Sequence, residues 1–82
     1  MSHEIQWREG VWPRDRFKFY SVDGDWRAEL YLRKKGTWII KIRRDYAMVD
    51  FMEIDMDISM VKEKAGDFLE SCKLLDKKPM HR

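Results

Sequence analysis

Trp26-Arg27-Ala28-Glu29-Leu30-Tyr31-Leu32-Arg33, then Lys34-Lys35-Gly36-Thr37, then Trp38-Ile39-Ile40-Lys41-Ile42-Arg43 is the stretch that decides the fold class. Successive side chains of a β-strand point to opposite faces, so apolar residues at alternate positions mark one buried side. Trp26, Ala28, Leu30 and Leu32 fall on one side, and Arg27, Glu29, Tyr31 and Arg33 on the other. After the Lys-Lys-Gly turn, Trp38, Ile40 and Ile42 continue the apolar side, with Ile39, Lys41 and Arg43 opposite. The pattern predicts an antiparallel pair with one face on a core.

Working outward, Asp23-Gly24 is a hairpin signal, and Arg16 to Val22 reads as the preceding strand with Phe17 and Phe19 on one face. Arg44-Asp45 marks the next turn. Tyr46 to Ile58 reads as a further strand whose apolar phase changes, from Ala47, Val49 and Phe51 to Met52, Ile54, Met56 and Ile58. A phase change near Phe51-Met52 predicts a β-bulge or a break, with Glu53, Asp55 and Asp57 facing outward. From Ser59 the period becomes helical, with Val61, Ala65, Phe68, Leu69, Cys72 and Leu75 in one stripe. Asp57 or Ser59 is the expected N-cap, and Lys77-Lys78-Pro79 ends the helix. Gly66 in mid-helix costs about 1 kcal/mol against Ala, which close packing on a sheet Trp is expected to offset. Ile5, Trp7, Val11 and Trp12 near the start predict an arm or edge strand docked on the body, since free tails rarely carry Trp.

The expected class is therefore α+β, a three- to four-stranded antiparallel sheet packed against one C-terminal helix, in the order ββββα. The expected division is a single domain over 1–82. An arm spans 1–13, the sheet 16–58, the helix 59–76 and a tail 77–82.

Composition narrows function by exclusion. An apolar fraction of 44% beside 39% charged residues describes a folded, highly charged chain. Cys72 is the only cysteine, so no internal disulfide can form. No apolar run approaches the length that crosses a bilayer, and Met1-Ser2-His3-Glu4 lacks a basic region followed by an apolar stretch. The expectation is a cytoplasmic protein with no membrane partner. The net charge of +2 hides an asymmetry: residues 1–44 hold eleven Lys/Arg against six Asp/Glu, and residues 45–82 hold six against nine.

Signals for chemistry have plainer readings. Cys72 sits on the apolar stripe and reads as a small hydrophobe. His3 and His81 lie near opposite ends with no ligand spacing around them. Glu53, Asp55 and Asp57 alternate as the solvated side of a strand does. No glycine-rich loop leads into a helix, and Ser21, Ser59 and Ser71 have no neighbouring His to activate them. No enzyme activity, cofactor, metal or small-molecule substrate is expected.

The positive signal is the outward face of the central pair. Arg27, Tyr31, Arg33, Ile39, Lys41 and Arg43 combine cations with exposed aromatic and aliphatic side chains, the composition of binding hot spots. Glu53, Asp55 and Asp57 form a secondary acidic surface.

Two resemblances bear on this face. Trp26-Arg27-Ala28-Glu29-Leu30, Gly36-Thr37-Trp38, and Ala65 with Phe68 resemble the DNA-binding domains of the plant ethylene-response and integrase arm-binding kind, over about half the chain. Those families lay a three-stranded sheet into the major groove. The resemblance implies DNA contacts by Arg27, Arg33, Lys41 and Arg43, although the acidic Glu53–Asp57 segment departs from the pattern. In size and aromatic content the chain is also similar to small phage-encoded inhibitor proteins of the anti-CRISPR type. The leading expectation is a non-enzymatic inhibitor or adaptor of phage or mobile-element origin that docks on a protein or ribonucleoprotein partner. DNA or RNA binding by the same face is the alternative, and a homodimer through the edge of the last strand is a third reading.

Overall fold

The computed structural model describes residues 5–79, so His3 and His81 lie outside the described residues. Its strands are β1 (Arg8–Glu9), β2 (Phe19–Asp23), β3 (Trp26–Leu32), β4 (Trp38–Arg44) and β5 (Ala47–Ile54), followed by α1 (Ile58–Leu74). They form one five-stranded antiparallel sheet in sequence order, each strand beside the next. The expected α+β class holds, with one more strand: the N-terminal arm contributes β1, which pairs Arg8 with Tyr20 and Glu9 with Phe19.

The tight turns explain the meander. Gly24 takes φ +64° and Asp25 does not go positive, the pattern of a type II′ hairpin turn. Between β4 and β5, Asp45 (φ +50°) and Tyr46 (φ +69°) are both left-handed, as a type I′ turn requires. The second of these positions normally belongs to glycine.

The helix lies across the predicted apolar side. Ala28, Leu30, Ile40, Ile42, Val61, Ala65 and Cys72 have no exposed surface, and Trp26, Trp38, Val49 and Leu69 are nearly as buried. Ile5, Trp7, Phe19, Met52, Ile54, Ile58 and Phe68 pack around them. Asp57 is the N-cap by backbone position, but its side chain makes no capping hydrogen bond; Ser59 Oγ donates to Asp57 Oδ2 instead, at 3.2 Å. Ion pairs fix the other end. Arg44 donates to Asp25 (3.1 Å) and Asp76 (2.7 Å), Lys77 donates to Asp50 (2.6 Å), and Lys73 donates to Asp23. The Arg44 guanidinium also lies over the Trp26 ring at 4.9 Å, closing that end of the core.

Several expectations are corrected. The phase change of β5 comes earlier than Phe51-Met52: Arg43 pairs with Met48 and Ile42 with Asp50, leaving Val49 as the extra residue. Val49 is buried, and Phe51 turns to the outer face opposite Lys41. A bulge adds one residue to one strand and so swaps the faces of everything after it. Strand β2 begins at Phe19, and Phe17 rests against Tyr20 and Tyr31 on the outer face while Phe19 meets Trp38 at 6.3 Å on the core side. Leu32 and Leu75 are exposed although their phases are apolar, because both lie at ends of their elements. Gly66 is crowded by Ile5, not by a Trp: a Cβ there would stand 3.0 Å from Ile5 Cδ1. The helix stops at Leu74, two residues before the expected boundary, where Leu75 and a left-handed Asp76 close it.

Candidate partner-binding surface

Alternation puts Arg27, Glu29 and Tyr31 of β3 and Ile39, Lys41 and Arg43 of β4 on the side away from the helix. Pairing across the two strands sets Arg27 directly opposite Arg43 and Glu29 opposite Lys41. Two like charges face to face repel. Glu29, one step along the same face, resolves the conflict. Its Oε2 accepts from Arg27 Nε at 2.8 Å, and its Oε1 accepts from Arg43 Nε and from the Tyr31 hydroxyl, each at 2.8 Å.

Glu29 is 5% exposed, so the supposedly solvated side of the sheet contains a buried carboxylate. The cover comes from the loop between β1 and β2. Phe17 packs edge-on against Tyr20 (5.2 Å) and Tyr31 (6.1 Å), and the Arg27 guanidinium lies 5.1 Å from the Phe17 ring and 4.8 Å from Tyr20. Gly10 lets the loop close, since a Cβ there would sit 2.1 Å from the Phe17 carbonyl oxygen. Gly10 N–H donates to Lys18 O at 2.9 Å, and Lys18 N–H donates to Leu30 O at 2.8 Å.

Burial works to raise the Glu29 pKa, but hydrogen bonds from Arg43, Tyr31 and Arg27 outweigh it and hold the carboxyl below the usual range. Burial and the neighbouring carboxylate push the Tyr31 hydroxyl up. The hydrogen bond it donates to Glu29 holds the Arg43 guanidinium even more firmly protonated. Cys72 is a thiol raised by burial in the core, an environment without nucleophilic activation.

The β4–β5 half of the same face is open. Lys41 faces Phe51, Ile39 faces Glu53, and Arg43 faces Met48. Phe51 is 54% exposed. Lys41 Nζ lies 4.3 Å from the Tyr31 ring centroid, and it is not among the described ion pairs. Arg33 stands just beyond β3 and joins this half through Glu53, with Nη1 3.4 Å from Oε1. Thr37 Oγ1 donates to Glu53 Oε2 at 2.6 Å, a bond that holds the Glu53 carboxyl low. At the end of the face Tyr46 projects into solvent, 88% exposed, beside an open cleft of about 330 Å³ between the two hairpin turns.

The structure thus brings Arg27, Tyr31, Ile39, Lys41 and Arg43 together on one face and leaves Arg33 at its margin. It divides the acidic trio: Glu53 belongs to the outer face, whereas β5 ends at Ile54 and places Asp55 and Asp57 in the link to the helix. Sequence reasoning missed Phe17 and Tyr20 as the cover, and Phe51 and Tyr46 as exposed apolar groups. For Tyr46 a signal was present, because Arg44-Asp45-Tyr46-Ala47 leaves room for only a two-residue turn.

Among the described residues no group of three His, Cys, Asp or Glu is placed to hold a metal ion, and no helix is long and apolar enough to cross a membrane. Compared with known proteins, the chain matches no family model, no curated sequence and no solved structure.

Proposed function

We propose that this chain is a non-enzymatic protein-binding module, an inhibitor or adaptor that docks through the open half of the outer sheet face. Its core contacts are Ile39, Lys41 and Phe51, with Arg33 and Tyr46 at the margins. The observation that carries the reading is the division of that face. Its closed half is saturated by its own hydrogen bonds around Glu29, while its open half leaves an aromatic ring to solvent and holds a half-buried cation that is in none of the described ion pairs. Interfaces concentrate their energy in a few aromatic and cationic anchors surrounded by nearly neutral contacts. The outer-face carboxylates Glu29 and Glu53 are neutralised within the chain while Lys41 is in none of the described ion pairs, so the fitting partner surface is acidic.

Duplex DNA or RNA is a poorer fit to this face. Arg27 and Arg43, two of the four cations that a groove-binding sheet would use, are committed to Glu29. A phosphate contact by either would compete with a short charge-assisted bond.

The test compares the wild type with a Lys41→Glu, Phe51→Glu double variant as immobilised baits in a nuclease-treated bacterial lysate. A stoichiometric partner retained by the wild type and lost by an equally stable double variant is the expected result. Equal recovery on both baits moves the docking site off the open half, and nucleic acid retained from a parallel untreated lysate with no protein retained after nuclease overturns the protein-binding reading.

A further inference from the structure

The arm that supplies the cover also carries an aromatic ring that covers nothing. Trp7 packs against the core, as expected of a docked arm, but Trp12 is 74% exposed and Val11 beside it 55%. The backbone holding Trp12 is nevertheless fixed. Asp15 Oδ2 accepts from Val11 N–H at 3.0 Å, Asp15 N–H donates to Val11 O at 2.8 Å, and the Gly10–Lys18 bond shuts the loop at its base. Asp15 spends its charge inside the loop, on the Val11 amide and on Arg14 at 3.3 Å.

Four cations flank this ring along the chain, against the two carboxylates of Glu9 and Asp15. Arg14 is in the loop with its side chain 74% exposed, Arg16 follows it, and Arg8 and Lys18 stand at the base. Arg8, Arg16 and Lys18 take part in none of the described ion pairs, unlike Arg27, Arg33, Arg43 and Arg44. An exposed ring on a pre-set loop loses little freedom when it stacks.

From these observations we propose that the 10–18 loop is a binding site for single-stranded nucleic acid, in which Trp12 stacks on a base and Arg8, Arg16 and Lys18 meet the phosphates on either side. Single strands are bound by this combination of an aromatic platform and a line of positive charge, whereas the bases of a duplex have no free face to offer. A protein hot spot sits at the centre of an apolar patch, and Trp12 has only Val11 and Pro13 for that. An anionic bilayer would attract the same cations, but Trp12 and Val11 alone offer little apolar surface to insert into it. The site is independent of the open sheet half, so either reading can fail alone. Together they describe a ribonucleoprotein partner.

The probe is a fluorescein-labelled fifteen-nucleotide oligo(dT), followed by anisotropy with the full chain at 50 mM salt. The wild type is expected to bind it more tightly than a fifteen-base-pair duplex. Three phosphate contacts predict a log–log salt slope of about −2, at roughly −0.7 per contact for single strands. Trp12→Ala is expected to weaken binding roughly tenfold, within the range for one lost base stack, at an unchanged Tm because the ring is exposed. Trp12→Phe should restore part of the loss. Binding that is absent at 50 mM salt, or indifferent to Trp12→Ala, overturns the proposal. So does equal binding of poly-L-glutamate, which has charge but no bases, or a preference for vesicles of 70:30 phosphatidylcholine and phosphatidylserine. The Lys41→Glu, Phe51→Glu variant should bind the oligonucleotide as the wild type does, which keeps failure here distinct from failure of the docking face.

Discussion

Glu29 and Phe51 lie on the same side of the same sheet, two strands apart, in opposite surroundings. Glu29, a charged residue, is buried and held by Arg27, Arg43 and Tyr31, with Phe17 packed on Arg27 and Tyr31. Phe51, an apolar residue, is more than half exposed. The helix covers one face of the sheet, and the other face has two regimes according to whether the 10–18 loop reaches it. A carboxylate can be buried where hydrogen bonds satisfy it and its charge is matched. Phe51, left in water two strands away, has no such internal account, and the docking face proposed above is built around it.

The largest expected effect sets the scale for both regimes. Trp26→Ala, on the helix side of β3, should cost about 3–5 kcal/mol and show as a collapse of the urea midpoint. Next, Glu29→Ala should cost about 2–3 kcal/mol, since it leaves Arg27 and Arg43 facing each other with no carboxylate between them. The figure lies below that for a fully buried pair because both arginine side chains are about a quarter exposed. A cost near that of an ordinary surface change would mean that the closed half is no more than a solvated ion pair.

Acid tests the same cluster. The Glu29 pKa is lower in the folded state than its ordinary value of 4.5, so its contribution is present above that value and is lost as pH falls through the folded one. Stability should therefore decline below about pH 4.5, and Glu29→Gln should flatten that part of a Tm-against-pH curve. An unchanged acid limb would assign the decline to other carboxylates, such as Asp50 with Lys77.

Tyr46→Gly should move stability the other way, by about 1 kcal/mol or a few degrees in Tm, because glycine accepts the left-handed backbone that tyrosine holds under strain. Strain kept beneath an 88% exposed ring fits a ring kept for binding. The stabilised variant should lose affinity for the captured partner. A Tyr46→Gly protein that is both stabler and fully binding would remove Tyr46 from the interface. The smallest effect belongs to Arg33→Glu: Tm within a few degrees of wild type, since both Arg33 and Glu53 are about half exposed. Its value is in sharpening the boundary of the open half, through an affinity loss smaller than that of the Lys41→Glu, Phe51→Glu pair.

The sheet, the order of its strands from β2 onward, the C-terminal helix and the sides of β3 and β4 are all legible in the amino-acid sequence. The physical reason is that period two, period 3.6 and turn chemistry are local properties, legible within a few residues. Where a local pattern was interrupted, legibility failed in proportion. The bulge shows in the sequence as a change of phase in β5 but not at its true position, because an apolar run from Val49 to Met52 interrupted only by Asp50 fits either phase. The folded packing alone reveals that Glu29 is buried, that Phe17 packs on the Arg27 and Tyr31 that hold it, that Gly66 makes room for Ile5, and that Trp7 docks while Trp12 does not. Each of these is a contact between segments distant in sequence or a choice made by a closed loop. Period two says which way a side chain points; it carries no information about what another part of the chain brings to meet it.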